Sequence, residues 1–389
     1  MIRIFAVCNG TLLEKLGTGV SPTYTRIHFL LKELAEYTDV TIDAVSYDIS
    51  PGGGIPRRVA DNVRKTLAAL RSAYRIRRDR PWVYFAYPHS MTTVQNRLLF
   101  SFCSFIGART ILDLHDTLEQ TGAVGDGKEQ LSRRFEAHSL KSASMIVALN
   151  QPMWDHVSRI YGLNGTPVVI APNAFEDIFM HLYPEPYRAV NGRCNVCYIG
   201  ALTRNRGIDL LVEACTALHA ANPDIMLHLY GPYGPGLGQE LRDRIEHSDC
   251  IVRRELPRES IPATLKSMDL LVMPYNPEEP YLNLSSPTKL YEYIGTTIPI
   301  LCTKCESLME IGSNGGIVYV DYSTEAFVAA IEDLLKNPGK REDLSQRLFA
   351  VRENHTWREQ AARVRRGLLE YQSGRDGERS EEEPGSTIR

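Results

Sequence analysis

The chain has 389 residues and a formal net charge of -3. This length is too great for one comfortable hydrophobic core and predicts two domains of about 150 to 200 residues each. The small net charge gives no general attraction to nucleic acid, so we expect no nucleic-acid partner. The apolar runs fall short of the ~20 residues that span a bilayer, and the first residues do not resemble a signal peptide. We therefore expect a cytoplasmic protein, with peripheral contact at the inner face of the cell membrane left open.

Eight cysteines raise the question of a zinc site, because two pairs have the Cys-x-x-Cys spacing, Cys194/Cys197 and Cys302/Cys305. The first pair lies in the strand-like run RCNVCYIG, where an odd separation points the two thiols to opposite faces. In a chain without a secretion signal, cysteines are expected to be reduced and mostly buried. We therefore expect no metal site.

In the first half of the chain, short β-rich apolar runs alternate with helical patterns. The predicted strands are IRIFAVC, VTIDAVSY, WVYFAY, RTILDLH, MIVAL and PVVIAP. Apolar residues recur at helical spacing over residues 27–34 and 59–74. This alternation is typical of a parallel sheet with crossover helices, the α/β class.

The Pro- and Tyr-containing stretch HLYPEPYRAVNG interrupts this rhythm and predicts a linker at 181–192 between a first domain at 1–180 and a second at 193–355. After the linker the pattern restarts with NVCYIG, IMLHLYG, CIVRRE, LLVMPY, IPILCT and GIVYV. A last helical segment, 356–372, is expected to pack back toward the first domain. The tail at 373–389 has almost no apolar residues and is predicted to be disordered.

A glycine-bearing turn follows the first strand of the second half, in YIGALTRNRGIDLLVEA. Gly200 ends the strand, and Arg206 and Gly207 lead into a helix. An arginine in such a turn can bind two diphosphate oxygens at once, while backbone NH groups of the turn add further donors. The alternative is a solvated arginine at an ordinary helix start.

The segment LSSPTKLYEYIG, residues 284–295, begins a helix with Ser286 as the predicted N-cap and Pro287 at the first helical position. Lys289 and Glu292 are three residues apart and share one face of that helix. A helix N-terminus with a lysine beside it can hold an anion. The alternative is an exposed Lys-Glu pair on a capped surface helix.

With these motifs the chain resembles the retaining family 4 glycosyltransferases, which have the GT-B fold. That family commonly carries G-x-L-x-x-x-(K/R)-G after the first strand of its donor domain and, further on, S-P-x-K-x-x-E-Y. The resemblance covers about residues 1–372 and implies two doubly wound Rossmann-like domains facing a central cleft. The matching residues are Gly200, Leu202, Arg206 and Gly207 in the first motif, and Ser286, Pro287, Lys289, Glu292 and Tyr293 in the second.

The resemblance also implies roles for individual residues of the second half. Arg206 and Lys289 would hold the donor diphosphate and stabilise it as it leaves, and Glu292 would bind the ribose hydroxyls. The remaining residues predicted to bind the donor here are Gly200, Arg204, Ser286, Pro287 and Thr288.

Three positions depart from the family pattern. Leu284 stands where members carry an additional acid, and Glu278 or Glu279 is a possible substitute for it. Ala201 replaces an arginine, for which Arg204 is expected to compensate. Thr297 stands where members often have glycine.

In the first half, the resemblance implies that the loop GTGVSPTYTR approaches the donor through Gly17 and Gly19, with Arg26 at the start of the next helix. His115 and Asp116 follow a strand in ILDLHDT and match an H-D pair found at the cleft of related enzymes, with His115 as a catalytic candidate. A histidine at a strand end is otherwise more often structural.

Asn173, in APNAFE, matches the family's P-N-G turn near the hinge and is predicted to be a hinge marker and a substrate contact. In this turn Ala174 stands where the family has glycine.

We expect a metal-independent, retaining hexosyltransferase that needs no cofactor and uses a UDP- or GDP-linked sugar. The acceptor would be a glycan or a lipid-linked hydroxyl in surface polysaccharide or glycolipid assembly. The segment 57–80 carries arginines away from an apolar helical stripe, which fits an anionic membrane surface or merely a solvated face.

Two other functions stay open. One is a catalytically degenerate GT-B protein that binds nucleotides or partners, suggested by Leu284. The other is a nicotinamide-dependent dehydrogenase, which is disfavoured because Gly17 and Gly19 come too far after the first strand for a dinucleotide-binding turn.

Overall fold

The computed structural model describes residues 1–9, 22–47, 81–88, 94–120, 129–190, 192, 194–312 and 315–381. The described chain divides into two compact units. One holds the described residues up to Pro172 together with those from Arg358 onward, and the other runs from Asn173 to Trp357. The predicted glycine loop with Gly17 and Gly19 lies outside the described residues, as does the basic segment 57–80.

Within its described residues, the first unit contains a parallel sheet of six strands in the order β2-β1-β3-β4-β5-β6. All six predicted strands of the first half are confirmed. The strands are β1 (Ile2–Asn9), β2 (Val40–Tyr47), β3 (Trp82–Tyr87), β4 (Arg109–Leu114), β5 (Met145–Ala148) and β6 (Val168–Ile170). The helices that connect them are Pro22–Ala35, Val94–Phe105, Glu129–Ser142 and Gln151–Tyr161.

The strands of this unit read as continuous apolar runs because a parallel sheet is covered on both faces. Every residue of β3 is buried. The helix Gln151–Tyr161 shows how local sequence sets helix ends: the side chain of Asn150 accepts a hydrogen bond from the backbone NH of Met153 at 2.8 Å, and Gly162 ends the helix in the left-handed region.

The last helix, Trp357–Glu381, belongs to the first unit from Arg358 onward. Its Arg365 donates two hydrogen bonds to the carboxylate of Asp39, at 2.6 and 2.9 Å. The helix continues to Glu381, past position 372, so the first residues of the segment predicted to be disordered are helical.

The second unit contains, in its described residues, a parallel sheet of six strands in the order β12-β11-β10-β7-β8-β9. The predicted strands of the second half are confirmed as well. They are β7 (Cys194–Ile199), β8 (Ile225–Tyr230), β9 (Ile251–Arg254), β10 (Leu270–Met273), β11 (Ile300–Thr303) and β12 (Ile317–Val320). The helices are Asp177–Leu182, Ile208–Ala221, Gln239–Glu246, Ile261–Leu265, Thr288–Thr296, Glu306–Ile311, Thr324–Lys336 and Pro338–Val351.

The predicted linker at 181–192 lies inside the second unit, and the chain passes between units at Pro172 and Asn173. Two tyrosines of that segment explain this placement. Tyr183 donates a hydrogen bond to the backbone oxygen of Pro262 at 2.6 Å. Tyr187 donates to Asp269 at 3.0 Å.

Thr297 ends the helix Thr288–Thr296 with a φ of 60°, in the left-handed region that favours glycine. This explains why glycine is common at the equivalent place in the family that the sequence resembles. The Thr297 hydroxyl accepts a hydrogen bond from the backbone NH of Tyr187 at 3.1 Å, a contact that glycine could not make.

The cysteine side chains that the structure describes are all free thiols. Cys197 and Cys302 are fully buried, and burial raises the pKa of both. Over the described ranges, no group of three His, Cys, Asp or Glu side chains is arranged to hold a metal ion. Over the same ranges, none of the helices combines the length and apolar character needed to cross a membrane.

Candidate functional site

The candidate site of the second unit lies at the carboxyl ends of β7 and β10, which are neighbours in the sheet. The chain continues outward from these two strands in opposite directions, and open α/β sheets bind ligands at such a switch point. The turn after β7 packs closely on the residues that follow β10. Gly207 has a φ of 68°, and an added Cβ there would lie 1.7 Å from the backbone oxygen of Pro274, so only glycine fits.

Lys289 lies against the turn that follows β7. Gly200 has a φ of 126°, and an added Cβ would lie 2.4 Å from the Lys289 Nζ atom. The Lys289 ammonium donates a hydrogen bond to the Tyr198 hydroxyl at 2.7 Å. It also lies 4.2 Å from the centre of the Tyr198 ring and 5.4 Å from that of Tyr275.

The surroundings of Lys289 disfavour its charged form. Its burial and, after that, the nearby charge of Arg206 lower its pKa well below the ordinary value, and Glu292 offsets only part of this. Among the described residues, no carboxylate lies within ion-pair distance of Lys289. The ammonium has three protons and gives one to Tyr198, so an anion placed here would gain charge-assisted hydrogen bonds.

The two predicted arginines of this turn differ in their surroundings. Arg206 is partly buried, close enough to Lys289 to influence its pKa, and donates a long 3.5 Å hydrogen bond to the backbone oxygen of Ala201. The side chain of Arg204 is 56% exposed and lies 3.6 Å from the carboxylate of Asp209. The structure therefore brings Arg206 to the lysine and leaves Arg204 at the surface.

The helix that carries Lys289 begins one residue later than predicted. It spans Thr288–Thr296, with Pro287 just before it, and the Ser286 hydroxyl does not cap it. That hydroxyl instead lies 2.8 Å from the Tyr291 hydroxyl and accepts a hydrogen bond from the backbone NH of Asn173 at 3.3 Å. The Asn173 side chain donates to the backbone oxygen of Ser286 at 2.6 Å. Asn173 thus supports the turn that leads into the helix.

Two further contacts define the start of this helix. The Tyr293 hydroxyl accepts a hydrogen bond from the backbone NH of Ile199 at 2.8 Å, which attaches the helix to the end of β7. The hydroxyl of Thr288 is buried and has no hydrogen-bond partner among the described residues. A ligand with acceptor atoms at the helix N-terminus would satisfy it.

Glu292 lies one helical turn beyond Lys289 and is 6% exposed. Its Oε1 atom accepts a hydrogen bond from Arg258 at 3.3 Å. Arg258 also donates two hydrogen bonds to Oε1 of Glu176, one of them at 3.0 Å. Burial raises the pKa of Glu292, and the charge of Glu176 raises it further. The charges of Arg258 and Lys289 lower it.

In the first unit, Arg26 forms a buried ion pair. Its guanidinium is 1% exposed and binds both carboxylate oxygens of Asp113, at distances from 2.8 to 3.2 Å. It also donates to the backbone oxygen of Pro172 at 2.9 Å. Burial would raise the pKa of Asp113, but Arg26 and His115 together hold it well below its ordinary value. The structure thus places Arg26 in the interior beside Asp113, and its predicted role as a substrate contact stays a prediction.

His115 follows β4 and is 4% exposed. Its Nε2 atom lies 2.8 Å from the Asp113 carboxylate, and its Nδ1 atom is buried with no partner among the described residues. Tyr84 donates a 2.5 Å hydrogen bond to the same carboxylate. Asp116 is partly exposed, and burial raises its pKa while His115 lowers it.

Sequence reasoning missed four residues of these groups. Asp113 had a usable signal, because a carboxylate inside the apolar strand RTILDL must find a buried partner. Tyr198 had a signal in its position, because it lies in the strand that leads into the Gly200 turn. Arg258 and Glu176 had no signal, since they meet Glu292 only through the tertiary fold.

Comparisons with known proteins concern the fold and part of the second unit. Residues 193–337 match the family model described as Glycosyl transferases group 1. No curated protein matches the chain at the sequence level.

Solved structures share the whole architecture at low sequence identity. Anabaena HepE, solved with UDP-glucose, has a TM-score of 0.63 and 15% identity, covering 95% of this chain and 100% of its own. The N-terminal domain of Candida albicans trehalose-6-phosphate phosphatase has a TM-score of 0.63 and 12% identity, with coverages of 95% and 98%. An E. coli structure described as trehalose-6-phosphate bound with UDP-2-fluoro glucose has a TM-score of 0.59 and 11% identity, with coverages of 92% and 97%.

The two parallel six-stranded sheets with flanking helices are the GT-B fold, as the sequence predicted. The match to the family model lies within the second unit, and the solved structures show that the fold is shared.

Proposed function

We propose that this protein transfers a hexose from a nucleotide-diphosphate sugar, UDP- or GDP-linked, to a hydroxyl of a glycan or lipid-linked acceptor. The observation that carries the proposal is the Lys289 ammonium, which is held beside a helix N-terminus and the Gly200 turn without a carboxylate partner in the described chain. A folded protein gains little from such an uncompensated charge, whereas an anionic ligand gains much. HepE, which has the same fold, is solved with UDP-glucose.

In this proposal each group at the edge of β7 and β10 has a role toward the donor. Lys289, Arg206 and the first NH groups of the helix Thr288–Thr296 bind the diphosphate. Glu292 accepts hydrogen bonds from the vicinal hydroxyls of the ribose. Gly200 allows the phosphates to approach the backbone, because any side chain there would occupy the position of the lysine ammonium.

The sequence motifs favour a retaining reaction of the family 4 type, without a metal or a cofactor. The bond between the anomeric carbon and the diphosphate oxygen breaks, and the acceptor oxygen forms its bond on the same face of the sugar. The acceptor proton passes to a phosphate oxygen of the leaving diphosphate. Arg206 and Lys289 stabilise the negative charge that grows on that group, which is the main contribution of the protein.

The test is a donor-turnover assay with purified protein and a panel of UDP- and GDP-hexoses. Nuclear magnetic resonance of the transferred or hydrolysed sugar reports the anomeric configuration of the first product. We expect release of one nucleoside diphosphate and retention of the donor configuration. Release with inversion would contradict the retaining mechanism, while the proposed sugar transfer would stand.

A catalytically degenerate nucleotide-binding protein is the second candidate, and one observation favours it. Leu284, at the end of the short turn Pro280–Leu284, supplies no acid where the resembled family carries one. Tight binding of UDP or GDP without turnover of any donor would support this alternative.

We also propose peripheral contact with an anionic membrane, where a lipid-linked acceptor would lie. The basic segment 57–80 suggested it, and the described part of the first unit adds an independent observation. Leu98 and Phe105, which lie on one face of the helix Val94–Phe105, are 65% and 88% exposed.

Flotation with vesicles containing anionic lipid tests this contact. The double variant Leu98→Glu and Phe105→Glu should abolish flotation. Ile160→Glu, which changes an exposed apolar residue on another helix of the same unit, should not. Absence of flotation by the unaltered protein would contradict membrane contact.

A further inference from the structure

Arg258 connects two acids that come from distant parts of the second unit. Its guanidinium donates to Oε1 of Glu292 and to Oε1 of Glu176, which lies just before the helix Asp177–Leu182. Arg258 itself begins a short turn after β9, directly behind Pro257. Three separate segments therefore converge on the carboxylate of Glu292.

This arrangement leaves Glu292 with one engaged oxygen and one available oxygen. Oε1 accepts from Arg258, and Oε2 has no hydrogen bond within the described residues. A carboxylate that binds a ribose must be held in one orientation, because both hydroxyls must meet its acceptor atoms at once. A planar guanidinium that is itself held by a second carboxylate provides this orientation, since its donors form a rigid fork.

We propose that Arg258, anchored by Glu176, is a positioning residue that fixes Glu292 for the ribose of the donor nucleotide. The inference deepens the proposed function and rests on it. Arg258 acts through Glu292 and needs no contact with the ligand. Glu176 keeps the guanidinium in place when the nucleotide is absent.

The charges around Glu292 support this role. Glu292 faces Arg258 and Glu176 from other segments and Lys289 from its own helix. Burial and Glu176 raise the pKa of Glu292, and Arg258 is the first of the opposing influences. Without Arg258 the carboxyl group would protonate at a higher pH, and its protonated form accepts hydrogen bonds from hydroxyls more weakly.

The experiment measures how strongly the protein distinguishes a ribonucleotide from its deoxy counterpart. Calorimetry gives the dissociation constants of UDP and 2′-deoxy-UDP, and of GDP and 2′-deoxy-GDP, for the full chain. We expect the unaltered protein to prefer the ribose form by about tenfold or more, the value of a hydrogen bond to a charged group. Glu292→Gln should reduce a tenfold preference to about threefold, since a bond to a neutral acceptor has about half the strength.

Arg258→Gln should reduce the preference to the same extent, and the double variant with Glu292→Gln should reduce it no further, because both changes remove one interaction. Arg244→Gln is the matched control, since it removes an exposed arginine of the same unit, and it should keep the full preference. A purely structural role for Arg258 would weaken ribose and deoxyribose forms equally and leave their ratio unchanged.

The possible outcomes distinguish the donor site, the ribose contact of Glu292 and the positioning role of Arg258. If neither UDP nor GDP binds the unaltered protein, the proposed donor site is wrong and the inference with it. If both sugar forms bind equally well, the ribose contact of Glu292 is wrong and the inference fails, while the diphosphate site stands. An unchanged ratio in Arg258→Gln overturns the inference alone. If that variant does not fold, Arg258→Met replaces it, since methionine keeps an apolar side chain and removes every donor and the charge, and an unchanged ratio there overturns the inference.

Discussion

Replacing Lys289 with methionine should separate stability from function. The substitution removes a partly buried ammonium with a lowered pKa and keeps a chain of similar length. Exchanging buried charge for apolar volume is commonly neutral or stabilising by about 1 to 4 kcal/mol. The lost cation-π contact with the Tyr198 ring costs about 0.5 to 2 kcal/mol. The lost hydrogen bond to Tyr198 costs about 1.5 to 3 kcal/mol more, so the terms nearly cancel, and we expect the free energy of unfolding of the empty second unit to change by no more than about 2 kcal/mol.

Nucleotide binding should weaken in the same variant. A charge-assisted hydrogen bond to a phosphate contributes about 1.5 to 3 kcal/mol, so the dissociation constant for UDP or GDP should rise about 10- to 150-fold. Thermal unfolding and calorimetry measure the two effects on the same sample. A change of about 2 kcal/mol in stability would correspond to about 4 to 8 °C in melting temperature for a unit of this size.

Lys304→Met is the matched control for this prediction. Lys304 is half exposed and pairs with Asp321 at 2.9 Å on the surface, so its loss should affect stability and nucleotide affinity little. A Lys289→Met protein that loses clearly more than about 2 kcal/mol of stability and binds nucleotides as tightly as the unaltered chain would refute the reasoning. Lys289 would then be a structural residue.

Three further predictions concern pH, catalysis and the first unit. Binding of a nucleoside diphosphate should take up a proton, because phosphate oxygens raise the lowered pKa of Lys289. The affinity should therefore fall as the pH rises above the pKa of Lys289 in the empty site. Calorimetry in buffers of different ionisation enthalpy should show proton uptake in the unaltered protein and none in Lys289→Met. Arg206→Ala should lower donor turnover about 10²- to 10³-fold with little change in fold, and unchanged turnover would remove Arg206 from the mechanism. Asp113→Ala should cost about 3 to 5 kcal/mol, because it leaves Arg26 buried and unpaired. In the unaltered protein the stabilisation from Asp113 is full above its unfolded pKa of about 3.9 and is lost as pH falls through its lowered folded value, so an acid titration that shows this loss near neutral pH would contradict the ion pair.

The fold could be predicted from sequence because its information is local. Apolar runs such as WVYFAY identify strands covered on both faces, and their alternation with helical patterns identifies parallel sheets. The last helix shows the limit of this reasoning. Its end at Glu381 lies in a segment that composition alone predicted to be disordered. The first residues of that segment continue a helix that is packed further back, and extending an existing helix needs no new nucleus.

Only part of the candidate site could be predicted from the sequence, because some of its contacts join residues that are not neighbours in the chain. Lys289, Glu292 and the Gly200 turn are recognisable because each motif is contiguous. Ser286 looked like a helix cap, but tertiary contacts with Tyr291 and Asn173 occupy its hydroxyl. Local propensity cannot anticipate such competition.

The partners of Arg26 and Arg258 could not be predicted from the sequence. The sequence assigned Arg26 to the ligand, and its buried partner Asp113 lies 87 positions away. Nothing in the sequence marked Arg258, whose partners Glu176 and Glu292 lie 82 and 34 positions away. Long side chains are placed by the fold, so their roles emerge only from the structure.

The most direct test of the central claim is a thermal-shift panel of UDP, GDP, ADP, CMP and NAD against the purified protein and Lys289→Met. A ligand at 100 times its dissociation constant adds about 2.7 kcal/mol to stability, which is several degrees for units of this size. We predict a selective shift with UDP or GDP that Lys289→Met reduces or removes. No shift with either nucleotide, or an equal shift in Lys289→Met, would contradict a donor site built around this lysine.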